Sequence, residues 1–252
     1  MILKDMKKFL FFIMFFITLT ANAASLKEKA DSAYAAENYI EAIEIYNDIL
    51  KEGTSADIYY NLGNSYYKTD EIAKAILNYE RAILLRPWDS DIQHNLNLAR
   101  TKTVDKITPV SEMFFVKWMK DLISFITVDG WAYLAISAFI FALVSFLVYF
   151  FSKTLIVRKI GFFSFLFTLV IVVVANIFAM VQLDKIKSKK DAIIMSGSVE
   201  VKSTPTQSGT NLFILHSGTK VLIIDDSMKE WKEIKLADGK IGWIPVSDME
   251  II

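Results

Sequence analysis

The chain has no cysteine among its 252 residues. Disulfides, thiolate catalysis and Cys-based zinc sites are therefore excluded, while the redox compartment stays open. Histidine is almost as scarce, with only His94 and His216, so a His-rich metal site is nearly excluded too. Neither charge sign is in excess: Lys+Arg and Asp+Glu each total 28, and no global field points to nucleic acid. Catalytic motifs are missing as well. Gly218-Thr219-Lys220 lacks the first half of a phosphate-binding loop, and there is no G-x-S-x-G, H-E-x-x-H or calcium loop. Asp225-Asp226 sits beside a turn signal, and Glu41 and Glu44 read as an exposed helix face. The expectation is a chain that is not an enzyme and needs no cofactor or metal.

What is plentiful is apolar residues, 54% of the chain, and they are concentrated in a few places. Residues 1–24 carry Lys4, Lys7 and Lys8, an apolar run from Phe9 to Thr20, and Ala21-Asn22-Ala23. That order of basic, apolar and small residues predicts a secretory signal peptide; an uncleaved anchor is the alternative. Two longer apolar runs, 131–151 and 160–183, are each long enough to cross a bilayer at about 20 residues per span. Between them lie Lys153, Arg158 and Lys159 with no acid. The positive-inside rule puts that turn in the cytoplasm and both flanking regions on the exported side. Lys185, Lys187, Lys189 and Lys190 after the second run oppose this orientation. Asn176, inside the second run, reads as a hydrogen-bonding partner of the first span or, less simply, as a functional site. Residues 101–129 form a linker and an amphipathic helix. Phe114, Phe115, Trp118, Met119, Leu122, Ile123 and Ile126 recur at helical spacing, which predicts an in-plane interfacial helix or, alternatively, a core stripe.

Residues 25–100 repeat themselves at an offset of about 33 residues. Ala30…Ala33-Tyr34…Ala42…Tyr46 aligns with Gly63…Tyr66-Tyr67…Ala75…Tyr79. With Tyr59, Leu62, Ala82 and Pro87, the second copy resembles the tetratricopeptide repeat (TPR) family closely. Asp91–Arg100 reads as a capping half-repeat. Two repeats and a cap form a short stack, which predicts help from a partner, a dimer or the membrane-proximal segment. A stack of this kind turns the first helix of each repeat toward a groove. The candidate protein-binding residues there are Asp31, Tyr34, Tyr60, Asn64, Tyr67 and His94; packing between repeats is the alternative for each.

After residue 185 the period changes from helical to alternating. The runs 199–201, 212–215, 221–224, 231–236 and 241–244 read as short strands, with a hairpin turn at Asp238-Gly239. Val201-Lys202-Ser203-Thr204-Pro205, Trp231-Lys232-Glu233-Ile234 and Ile241-Gly242-Trp243-Ile244 resemble the bacterial SH3-like family. That resemblance implies a small barrel whose ligands are peptides or cell-wall glycan. Trp231 and Trp243 are its candidate ligand face, or else its core.

The expected fold class is a multidomain membrane protein: an all-α TPR solenoid (25–100), a two-helix transmembrane hairpin (130–184) and an all-β SH3-like small barrel (185–252). In this order the parts resemble the BatE-like family of the Bat aerotolerance operon. The resemblance implies an inner-membrane, multi-pass component of an envelope complex. Its partners would be membrane or periplasmic proteins carrying von Willebrand A and TPR domains, together with the lipid bilayer. The function expected is a membrane-anchored protein–protein interaction scaffold. The alternative is a peptidoglycan-binding module that uses the TPR region as a spacer.

Overall fold

The computed structural model describes residues 26–111, 113–188 and 190–252; the expected signal peptide lies outside them. The described chain divides into two compact units. One contains the residues up to Ile83, Asp89–Pro109 and Lys190–Ile252. The other contains Leu84–Trp88 and Val110–Lys189.

In the first unit, α1 (26–35), α2 (Tyr39–Glu52), α3 (Ala56–Lys68), α4 (Ile72–Leu85) and α5 (Ser90–Thr101) form two helical hairpins and a fifth helix. The repeat is visible in the backbone. Glu37 and Asp70, 33 positions apart in the sequence, both take positive φ, 63° and 62°. Each marks the turn inside a hairpin: the Asn38 amide donates to the Ala33 carbonyl, and Glu71 donates to Tyr66, both at 2.9 Å. A left-handed residue after a helix is the usual way to satisfy its last carbonyls. Aspartate tolerates that conformation and glutamate does so poorly. Glu37→Gly is therefore expected to stabilise the first hairpin, by about 0.5–1 kcal/mol once glycine's extra unfolded-state freedom is subtracted. A denaturant midpoint unchanged or lowered would contradict this.

Small residues sit where helices cross. Ala30, Ala42, Ala75, Ala82 and Ala99 are fully buried. A Cβ on Gly63 would come within 2.7 Å of the Tyr79 ring, so α3 and α4 are as close as glycine allows. Asp89 caps α5 by accepting from the amides of Asp91 and Ile92. At the other end Lys106 donates to the carbonyls of Arg100 and Thr101, in the last turn where a helix leaves carbonyls without intrahelical partners, and of Thr103 just beyond it.

The C-terminal strands are β1 (Asp191–Ile194), β2 (Ser198–Lys202), β3 (Asn211–His216), β4 (Lys220–Asp225), β5 (Trp231–Lys235), β6 (Ile241–Pro245) and β7 (Met249–Ile251). They form one antiparallel sheet in the order β3-β2-β6-β5-β4-β1-β7. The sheet is open, with β3 and β7 at its edges, where the sequence leads one to expect a closed barrel. The strands still curl around one core, to which Val199, Val201, Leu215, Val221, Ile234, Ile244 and Met249 contribute. Register shifts at Val201/Lys202 and Ile223/Asp225 bend the strands. The five expected strands and the Asp238-Gly239 turn are present; β1 and β7 are additional. The β7 edge is covered in part by Arg81 of α4, which donates to the Ile251 carbonyl at 2.7 Å and meets Glu250 at 3.0 Å.

The helices and the sheet pack as one body. Alternation along β1 sends Ala192 and Ile194 into the sheet core and Ile193 into the helical core of Ala75, Ile76, Leu77, Tyr79, Ile92 and Leu96. β1 is thus buried on both faces, which accounts for its unbroken apolar run. Glu80 of α4, 4% exposed, pairs with Arg100 of α5 and with Lys220 of β4 at 2.9 Å. Lys220 also reaches Asp191 at 3.0 Å. Burial pushes the Lys220 ammonium down, but Glu80 and then Asp191 outweigh it and hold it above its ordinary value. Gly218, at φ 86°, lies against Thr103 and Ile76, where a Cβ would come within 2.8 Å. The segment after α5 is a strap, not a free linker. Asp105 accepts from the His216 amide at 2.7 Å and the Thr219 hydroxyl at 2.7 Å, and meets His216 Nδ1 at 2.8 Å. Ile107 packs against the sheet core. His216, which precedes a turn and reads as solvated, is half-buried by this contact.

The second unit contains α6 (Phe114–Ser124), α7 (Val128–Phe151) and α8 (Leu155–Lys187). Helices α7 and α8 are both long and apolar enough to cross a membrane. They form a hairpin whose turn is tighter than expected, since Arg158 and Lys159 lie in the first turns of α8. Thr127 caps α7 by accepting from the Gly130 amide, two residues before Asp129, although Asp129-Gly130 reads in the sequence as the helix start. The seam is made of small residues: Ala135, Ala138, Ala142 and Ser145 on α7, with Gly161, Thr168 and Ala175 on α8. Ser145 and Ser164 hydrogen-bond across it at 3.2 Å. Asn176 does not; its amide donates to Val172 of its own helix at 2.8 Å. Trp131 is buried against Phe178 and donates to the Ile123 carbonyl at 2.8 Å, whereas Tyr133 is exposed. No residue of α6 is buried. Of its stripe, Phe114, Phe115, Trp118 and Met119 are exposed, while Leu122 and Ile123 are half-buried and Ile126, just after the helix, packs against Trp131.

Candidate protein-binding cleft

The repeat builds a polar rung twice. In the first copy Asp31 accepts from the Tyr46 hydroxyl at 2.6 Å and from the Asn61 amide at 3.1 Å. In the second, Asn64 Oδ1 accepts from the Tyr79 hydroxyl at 2.7 Å and from the Asn95 amide at 2.9 Å. Each rung ties an acceptor on one helix to a tyrosine on the next and to an asparagine on the helix after that. Lys27 adds a third bond to Asp31 at 2.6 Å. Burial raises the Asp31 carboxyl, but the bonds from Lys27 and Tyr46 outweigh it and its pKa falls below the ordinary range. Burial, reinforced by the nearby Tyr60, Tyr34 and Tyr67, pushes the Tyr79 phenol far upward. It stays protonated and remains a donor to Asn64.

Above the second rung lies a cleft of about 320 Å³, lined by Tyr34, Tyr60, Asn64, Tyr67, Lys68, Tyr79, Asn95 and Leu98. Four of the six residues that the sequence nominates for a groove are therefore brought together: Tyr34, Tyr60, Asn64 and Tyr67. Asp31 does not line the cleft and is taken up by the first rung. His94 does not line it either and is exposed on α5. Four lining residues are not among those nominated: Tyr79, on the second helix of its repeat, and Lys68, Asn95 and Leu98, which lie on α3 and α5 themselves; the offset between Asn61 and Asn95 carries the signal for Asn95. None of the lining residues is acidic. Because Asn64 Oδ1 is taken by two donors, its amide hydrogens remain for a ligand. Tyr60 accepts from Asn95 at 2.9 Å, so its own hydroxyl hydrogen is likewise available.

In the sheet, Trp231 is 9% exposed and Trp243 is half-buried on β6 opposite Lys202 and Glu233. Among the described residues no group of three or more His, Asp or Glu is placed to hold a metal ion.

Residues 56–89 match the tetratricopeptide repeat family model. The match spans α3, α4 and the turn that follows, which is the second copy of the repeat. No curated protein matches the chain. The tetratricopeptide match supports a role in protein–protein interaction.

Proposed function

We propose that the chain is a membrane-anchored scaffold that holds partner proteins through its tetratricopeptide cleft, in the manner of a BatE-like component of an envelope complex. The observation that carries this reading is the cleft itself, a tyrosine-walled opening with donors aimed into it, built by the repeat that matches the family model. Spare hydrogens on Asn64 and Tyr60, with Lys68 at the rim, suit the carbonyl and carboxylate oxygens of an extended peptide, and the tyrosines provide contact area at low entropy cost. Membrane anchoring is supported by the length and composition of α7 and α8. The exported orientation rests on the basic turn and the signal-like N-terminus. The docking of helices and sheet supports only that both lie on one side of the membrane. The chain leaves one body, runs through α7 and α8, and returns to the same body, which an even number of crossings permits. The C-terminal sheet is proposed to be SH3-like on its residue pattern. With Trp231 buried, cell-wall binding through paired tryptophans has less support than partner binding.

The test is affinity purification of the full chain from detergent-solubilised membranes. A Tyr67→Ala, Lys68→Glu variant removes a cleft wall and reverses the rim charge while leaving both polar rungs intact. Partners, expected to be von Willebrand A and TPR proteins, should be lost at least tenfold, as for a central interface residue. Recovery equal to wild type would remove the cleft from the function.

A further inference from the structure

From Asn176 we infer that α8 pairs with α8 of a second copy of this chain, making the scaffold a dimer within the bilayer. The inference rests on the reading of α7 and α8 as membrane spans. Asn176 lies in the apolar run of α8, about 7 Å from the middle of 160–183 at 1.5 Å per residue. Its side chain does not face α7. That seam is carried by Gly161, Thr168 and Ala175, and Asn176 lies about 100° further round the helix than Ala175. The residue is exposed, on the same face as Val173 and Met180, which are exposed too.

An amide facing hydrocarbon is costly unless its polar atoms are paired. One N–H of Asn176 is satisfied by the Val172 carbonyl. That leaves one donor, the second N–H, and one acceptor, Oδ1. This remainder is its own complement: two such groups related by a two-fold axis exchange a donor and an acceptor and leave nothing unpaired. A second copy inserted in the same orientation also presents its Asn176 at the same depth, which an unrelated helix need not do. The flanking Val173 and Met180 bring no charge to the contact, so two identical faces can approach.

The native chain has no cysteine, so a single introduced thiol reports without background. Met180→Cys, one turn from Asn176, is expected to form a disulfide-linked dimer when membranes carrying the full chain are oxidised. Phe167→Cys, 68% exposed but on the opposite side of α8, should remain monomeric. Adding Asn176→Leu to Met180→Cys should lower the association constant about three- to tenfold, the effect of losing one or two interhelical hydrogen bonds in lipid. Equal cross-linking with and without Asn176, or cross-linking of Met180→Cys only to a different protein, would overturn the dimer. Alkaline extraction of the same membranes separates the two readings. A chain that stays in the pellet but fails to cross-link refutes the dimer alone, and a chain released to the supernatant refutes the membrane reading and the dimer with it.

Discussion

Ile193→Ala should destabilise the helices of the tetratricopeptide region, although Ile193 is a strand residue. It is 0% exposed, and its side chain belongs to the helical core with Ala75, Ile76 and Leu96. Truncating a fully buried isoleucine to alanine costs about 2–5 kcal/mol. A value near 3 kcal/mol is expected, because Met195 and Ile252 border the site and can relax only partly into it. Hydrogen exchange reads the effect locally. Amides of α4 and α5 that open only on global unfolding should lose about a hundredfold in protection, at 1.4 kcal/mol per factor of ten. Ile214→Ala serves as the control, since Ile214 is exposed on the edge strand β3, and it should change protection little. Protection lost in the sheet with α4 and α5 unaffected would mean that sheet and helices are separate modules.

This packing answers a question the sequence raises and leaves open. Two repeats and a half-repeat are few for a free-standing stack, and the missing apolar partner is 100 residues downstream of the helices it covers. Nothing local in α4 announces it. The elements themselves were legible because each has a strong period: 3.6 in the helices, two in the strands, and unbroken apolar runs in α7 and α8. The turns were legible where a residue type dictates them, as at Asp238-Gly239. What a linear reading misses is pairing. Asp31 looks like a groove residue because polar side chains on the first helix of a repeat usually face the groove, yet it does not line the cleft; Asn64 does line it, but with its acceptor oxygen already committed. The Tyr46 and Tyr79 hydroxyls claim these two acceptors. Closure of the sheet was likewise not legible. It depends on whether β3 meets β7, a long-range pairing that no local residue pattern records.

The double face of α4 ties these observations to function. Tyr79 points to the cleft side and completes the second rung. Its neighbour Glu80 points to the sheet and completes the ion network. A ligand in the cleft therefore rests on a helix whose other side is fixed by the C-terminal strands. The sheet braces the helix that carries the wall of the proposed cleft. That also explains why the strap carries Asp105. Burial raises its carboxyl, but the bonds from Thr219 and His216 outweigh burial and hold it below the ordinary range. It stays ionised and keeps the β3–β4 turn seated against the helices.

Glu80→Ala is the sharpest test of the brace. The change removes a carboxylate that is almost wholly buried and leaves two cations facing the gap. Breaking a fully buried pair costs about 3–5 kcal/mol. Here Lys220 keeps Asp191 at 3.0 Å and Arg100 is partly solvated, so about 2–3 kcal/mol is expected, measured as a denaturant midpoint shift with unchanged slope. The cause is separable from simple loss of packing by a double-mutant cycle. Lys220→Met removes the buried cation but keeps the apolar stem. In the wild-type background it should be destabilising, because it strands Glu80 with Arg100 alone. In the Glu80→Leu background it should be close to neutral, since a buried ion pair replaced by apolar groups of similar volume often costs nothing. If Lys220→Met is equally harmful in both backgrounds, the ion network does not couple sheet to helices, and the apolar contact through Ile193 must carry the brace by itself.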